Sequence, residues 1–179
     1  MESSVWAGLP ILVTSYYCAS GMGFFSFLFP RPAVFEDDFF GHLVSESSGQ
    51  YGSPYCYYAE QVRFQPTGTG IECMLDTADT NGPTLAQREF FQHFEQVYAS
   101  LLPFIIAVVE NDSQLLAAGT PLINFASTHR LAGISIPELS KASVEWDMWF
   151  EPLDTSHWGY SVQVDMVNDV PQAGIGISA

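Results

Sequence analysis

Positive charge is what this chain has least of. Five Lys and Arg stand against 20 Asp and Glu in 179 residues, a net charge of −15. Binding to nucleic acid is therefore disfavoured, because neutralising phosphates takes clustered Lys and Arg. Adhesion to an anionic membrane surface is disfavoured for the same reason. Cysteine is also sparse. Cys18, Cys56 and Cys73 are odd in number and show no paired spacing. They argue against a disulfide framework or a Cys-rich zinc site and for free thiols in a reducing compartment. No Walker loop, dinucleotide fingerprint, HExxH or paired CxxC occurs, so no cofactor is implied.

Charge of either sign is missing from Ser3 to Pro30. Length alone would let that stretch span a bilayer. Gly8, Pro10, Gly21 and Gly23 interrupt it, and only Glu2 stands where a secretory signal carries Lys or Arg. The expectation is a cytoplasmic protein. Met22 opens MGFFSFLFPRP, which reads as a natural start, so Met1 to Gly21 is either an upstream extension or an arm outside the core. Gly23 lacks the downstream hydroxyl residue that myristoylation needs. Residues 1–30 are accordingly set apart from one domain over residues 31–179.

What the chain does have is apolar and aromatic content, 47% and 15%, enough for a sizeable core. Its organising stretch runs from Asn81 to Asp112. Asn81-Gly82-Pro83 closes what precedes, and Thr84 with Gln87 three residues on forms a capping-box pattern. Phe90, Phe94, Val97 and Leu101 recur at helical spacing, beside Phe91 and Tyr98, while Arg88, Glu89, Gln92, His93, Glu95 and Gln96 fill the remaining face. One apolar stripe and one wet face predict a helix lying on a sheet. Pro103 predicts a break, followed by a second short helix ending at Asn111-Asp112; a buried strand over Phe104 to Val109 is the alternative.

Strand patterns flank this stretch. Ala33 to Val44 reads as a strand with a turn or bulge at Gly41, and Ser45 to Pro54 as a loop. Tyr55 to Gln65 and Ile71 to Asp76 read as a hairpin. In the first of these Tyr58, Val62 and Phe64 are assigned to one face, and Tyr57, Gln61 and Arg63 to the other. Leu131 to Ile136 precedes Pro137, and Tyr160 to Met166 alternates. Val144, Trp146, Met148 and Phe150 alternate with Glu145, Asp147, Trp149 and Glu151 in the cleanest period-two stretch of the chain. Ala173 to Ser178 is a further short strand. The order predicts an α+β fold: an antiparallel sheet of about six strands packed on one face by a central helical pair.

Candidate chemistry is limited. Asp37, Asp38 and His42 offer oxygen and nitrogen ligands or a hydrolytic site, and equally suit a solvated strand end. His93 fits an ion pair with Glu89 on the helix face. Asp154, Ser156 and His157 share one turn, whereas the members of a triad usually meet from distant segments. Cys73 would be a nucleophile only beside a base, and its strand period places it in the core. The distinctive feature is Trp149 flanked by Glu145, Asp147 and Glu151, with Asp154 and Trp158 nearby. An aromatic ringed by carboxylates suits an interface anchor for a basic partner.

Asp38-Phe39-Phe40-Gly41-His42-Leu43, followed by a hairpin and then Pro83 to Phe91, resembles a group of small bacterial domains of unknown function. Those domains open with a D-x-x-(F/Y)-G-x-L strand and carry a T-x-x-Q helix start. Gly41 and Gln87 match, and the likeness spans Val34 to Val109. Several members are regarded as immunity-type proteins encoded near toxins. The resemblance implies a non-enzymatic protein that binds a basic, toxin-like partner, with no catalytic residue to carry over. The alternative expectation is a small-molecule binder or hydrolase using Asp37, Asp38, His42 or His157.

Overall fold

The computed structural model describes residues 34–46, 55–140, 142–154 and 160–178. The first strands form where alternation and turns coincide. β1 (Val34–Asp37) turns through Asp38-Phe39-Phe40 into β2 (Gly41–Glu46). Gly41, at φ 79°, supplies the left-handed backbone that ends this turn. β3 (Tyr55–Phe64) and β4 (Thr69–Thr77) continue as an antiparallel meander. The chain then leaves the sheet through α1 (Leu85–Glu110), α2 (Ser113–Ala117) and α3 (Phe125–Thr128). It returns as β5 (His129–Ile136), β6 (Glu145–Pro152), β7 (Ser161–Val167) and β8 (Val170–Ser178).

Spatial order equals sequence order, β1 to β8 in one sheet. Every neighbour pair is antiparallel except β4 with β5, where Cys73 faces Ile134 and Leu75 faces Ile136 in parallel. Two four-stranded meanders thus meet at one parallel seam, and a parallel join needs a long crossover, here the helical segment. All of this lies within one compact unit, Pro32–Ala179.

The fold is α+β, and three details of the sequence expectation are corrected, the first being that the sheet is mixed and not wholly antiparallel, because β4 and β5 run parallel. Eight strands replace about six, because the segment read as one strand folds as a hairpin, Val34–Asp37 with Gly41–Glu46, and the C-terminal strand runs over Val170–Ser178. One continuous long helix replaces the helical pair. Pro103 sits inside α1 on its exposed side, as do Ala99 and Ser100. The carbonyl that Pro103 deprives of its usual amide donor thus belongs to an exposed residue, Ala99. The buried seam of Phe91, Phe94, Tyr98, Leu101, Ile105 and Val109 passes unbroken through that point.

The face assignment of β3 holds for Val62 and Phe64 against Gln61 and Arg63 but exchanges Tyr57 and Tyr58. Its pairing slips between Ala59 and Val62, where three residues span what two span on β4. The extra residue inverts the alternation, so Tyr57 and Ala59 join Val62 and Phe64 inside while Tyr58 is half-buried. The core between α1 and the sheet is aromatic. Phe64 stacks on Phe94 with ring centroids 5.2 Å apart, and Phe94 meets Trp146 edge-on at 5.2 Å. Trp146, 2% exposed, donates its indole N–H to the Asn168 carbonyl at 2.7 Å.

The capping box at Thr84 and Gln87 forms as expected. Gln87 N donates to Thr84 Oγ1 at 3.2 Å, and Thr84 N donates to Gln87 Oε1 at 2.9 Å. Gln87, 1% exposed, does more than cap. Its Nε2 donates to the Asp76 carbonyl at 2.7 Å and the Pro137 carbonyl at 3.3 Å, at the ends of the two parallel strands. Gln87→Leu removes the cap acceptor and takes a buried donor from both carbonyls. The expected loss is about 2–4 kcal/mol, read as a lower urea midpoint at unchanged slope. A loss under about 0.5 kcal/mol would contradict this role.

Candidate functional site

α1 covers one face of the sheet. Among the described residues no helix lies over the other face, and Trp149 lies there. Period two places Trp146, Met148 and Phe150 against α1 and turns Trp149 away from it. Trp149 pairs with Gly133 on β5 and with Gln163 on β7. A Cβ at Gly133 would overlap Cζ2 of Trp149, so the indole lies flat across the glycine backbone. β5 is bulged at Ala132, between the Leu131–Phe150 and Gly133–Trp149 pairs, and the bulge brings Gly133 beneath the ring.

Around the half-buried indole lies a depression of about 330 Å³ lined by Met74, Ser135, Asp147, Trp149, Glu151, Ser161, Gln163 and Ser178. The acidic residues expected there differ from one another. Asp147 is 2% exposed, close to Ser135 Oγ at 3.2 Å, so it belongs to the floor and not to an exposed acidic rim. Glu151 is half-buried and paired with Arg130 at 3.2 Å. Glu145 is exposed at the far end of β6. Trp158 lies outside the described residues. What the sheet brings together is therefore Trp149, Asp147 and Glu151, with an amide and three hydroxyls.

The other candidates separate. Asp37 turns inward: its Oδ1 accepts from Phe39 N and Phe40 N, both at 2.9 Å, and its Oδ2 meets Arg88 Nη2 on α1 at 2.6 Å. Its carboxylate is spent on tying the β1–β2 turn to the helix. Asp38 is exposed in that turn. His42 pairs across the hairpin with Glu36 at 2.6 Å, exposed on both sides. His42 does line a depression of about 430 Å³ with Tyr58, Glu60 and Gln61, but neither Asp37 nor Asp38 lines it. His93 pairs with Asp169 of the β7–β8 turn at 3.0 Å, in place of Glu89. Cys73 and Cys56 are buried free thiols, and burial pushes the Cys73 thiol well above its ordinary range. Cys18, Ser156 and His157 lie outside the described residues, and Asp154 is exposed at the end of β6. Among the described residues no three His, Cys, Asp or Glu side chains group as metal ligands.

His129 was not singled out by any sequence signal; it sits where a stretch without periodicity enters β5. It is 7% exposed and stacks on Phe125 with centroids 4.8 Å apart. Its Nδ1 lies 2.9 Å from Thr128 Oγ1, its Nε2 is buried, and the Tyr160 backbone hydrogen-bonds to the ring. The ring lines a cleft of about 360 Å³ with Pro121, Leu122, Ile123, Ser127, Thr128, Pro152, Leu153 and Asp154. Burial lowers the His129 pKa, opposed in part by the Tyr160 backbone.

Leu85–Ala117 is long and apolar enough to cross a membrane by length and composition. Its apolar seam of Phe91, Phe94, Tyr98, Leu101, Ile105 and Val109 is packed on the sheet. Comparison with protein-family models, with curated proteins and with solved structures finds no match to this chain.

Two outcomes are expected. Gly133→Val drives the indole off the sheet, raising iodide quenching of the fluorescence assigned to Trp149 by difference from Trp149→Phe. An unchanged spectrum would contradict the packing. His129 is neutral in the fold, so acidification protonates the unfolded chain first. Stability then falls as pH drops below the ordinary histidine value of about 6.5, until the lowered folded-state pKa is passed. Comparing urea midpoints from pH 7.5 to 5, His129→Phe is expected to flatten this slope relative to wild type.

Proposed function

We propose that this is a non-enzymatic binding protein whose helix-free sheet face takes a basic side chain of a partner protein onto Trp149. The observation that carries the reading is the indole laid across Gly133, half-buried, with Asp147 beneath the same depression and Glu151 at its side. A guanidinium or ammonium over a tryptophan face gains about 0.5–2 kcal/mol, more as water is excluded. Ser161, Gln163 and Ser178 supply hydrogen-bond partners around it. A net charge of −15 steers a basic protein toward this surface and repels nucleic acid and anionic lipid. The immunity-type form of this reading, with a basic toxin as partner in the cytoplasm, adds a specific identity to the same chemistry. Glu145 and Trp158 belong to the wider surface in this proposal.

The hydrolytic alternative receives less support, since Asp37 serves Arg88 and His42 serves Glu36. The test is affinity purification from the producing cells with wild type and with Trp149→Ala, after urea denaturation has established that both are folded. A basic protein is expected to be enriched by wild type at low salt, and to bind Trp149→Ala at least about tenfold more weakly. Recovery of no basic partner, or equal recovery by both forms, would overturn the proposal.

A further inference from the structure

One of the few cations of this chain already stands beside the Trp149 depression. The described residues include three Arg and no Lys. Arg88 is tied to Asp37, and Arg63 is exposed on β3. Arg130 on β5 lies directly opposite Glu151 on β6, and the Leu131–Phe150 pair separates them from Gly133 and Trp149 on the same two strands. Glu151 is the accessible acid of the depression. Asp147 is 2% exposed and lies against Ser135, whereas the Glu151 side chain is 40% exposed. The carboxylate that an incoming cation meets first is therefore held by the chain's own guanidinium.

That hold is weak. Arg130 Nη2 stands 3.2 Å from Glu151 Oε2, longer than the ~2.7–2.9 Å of a well-formed charge-assisted hydrogen bond. The Arg130 side chain is 58% exposed, and water screens a pair so open. Nor is Arg130 needed to aim the carboxylate. Glu151 follows Trp149 by two residues on β6, and period two puts both on the helix-free face. Two cations sharing one carboxylate repel each other. Arg130 thus competes with a partner's cation and does not prepare the site for it.

On the reading that Trp149 takes a basic side chain of a partner, we infer that the Arg130–Glu151 pair is an autoinhibitory latch, which the partner's guanidinium or ammonium opens by displacing Arg130 from Glu151. The latch confers selectivity. A cation drawn only by net charge exchanges one ion pair for another, with little gain. A basic side chain that also lies on the indole gains the ring contact in addition. The latch therefore favours partners that fill the depression over those that merely approach it.

The experiment uses the full chain at low salt and two probes, acetyl-Gly-Arg-Gly-amide and its uncharged citrulline counterpart. Binding is followed by NMR at the Trp149 indole N–H, identified by its absence from Trp149→Phe. Arg130→Gln is expected to bind the arginine peptide about fivefold more tightly than wild type, because a competing charge has left the site. Its affinity for the citrulline peptide is expected to stay unchanged. Arg63→Gln, the same loss of charge on a distant strand, is expected to change affinity by less than about twofold. Arg130→Lys is expected to behave as wild type, and adding Glu151→Gln to Arg130→Gln is expected to abolish the gain. If wild type binds the arginine peptide through Trp149 but Arg130→Gln binds it equally or more weakly, the latch is overturned while the Trp149 reading stands. A gain in Arg63→Gln as large as in Arg130→Gln also overturns the latch alone. Absence of Trp149-dependent binding in every variant overturns both.

Discussion

One side chain amide holds the two halves of this sheet to the helix that joins them. A parallel pair between β4 and β5 cannot be closed by a hairpin, so the chain must leave the sheet, cross and return. Where it leaves, the backbone at Asp76 and Pro137 carries carbonyls that the helix must satisfy. Gln87 does so with its Nε2 while its Oε1 closes the capping box on Thr84. Local helix initiation and the long-range strand join are therefore coupled through one buried residue. The first turn of α1 cannot be shifted without disturbing the seam.

From that seam the two faces follow. α1 lays Phe91, Phe94, Tyr98, Leu101, Ile105 and Val109 against one side of the sheet, and Phe64 and Trp146 rise to meet them. Burial makes that side featureless chemically: the Cys73 thiol and the Tyr98 hydroxyl are both pushed up, the latter to about 12, so neither ionises near neutrality. Residues of the opposite parity face away. Trp149 lies there because a bulge at Ala132 puts Gly133 beneath it, and only glycine leaves room for the ring. Depressions among the described residues lie at the Trp149 face, beside His129 and beside His42.

Much of the architecture was legible in local pattern. The capping box, the amphipathic stripe and the period-two run from Val144 to Glu151 depend on spacing within one element, and each formed as its spacing implied. Pro103 misled because the cost of a proline is set by what surrounds the carbonyl it leaves without a donor, and here that carbonyl belongs to an exposed residue. The faces of Tyr57 and Tyr58 exchanged because a bulge is visible only in the pairing with β4. Asp37 looked available for chemistry; its partner Arg88 is 51 residues away, and nothing near Asp37 announces it. His129 gave no signal at all, since its isolation arises from Phe125, Thr128 and the end of β6 closing around it.

Spacing alone thus established the α+β character, the start of the long helix and which side of β6 is apolar, because these are consequences of backbone periodicity. Folding in three dimensions settled the parallel seam, the burial of Asp147, the seat of Trp149 on Gly133 and the burial of the His129 ring. Each of those is made by residues far apart in the chain, and whether a polar atom ends up paired depends on neighbours that only the packed sheet and helix supply.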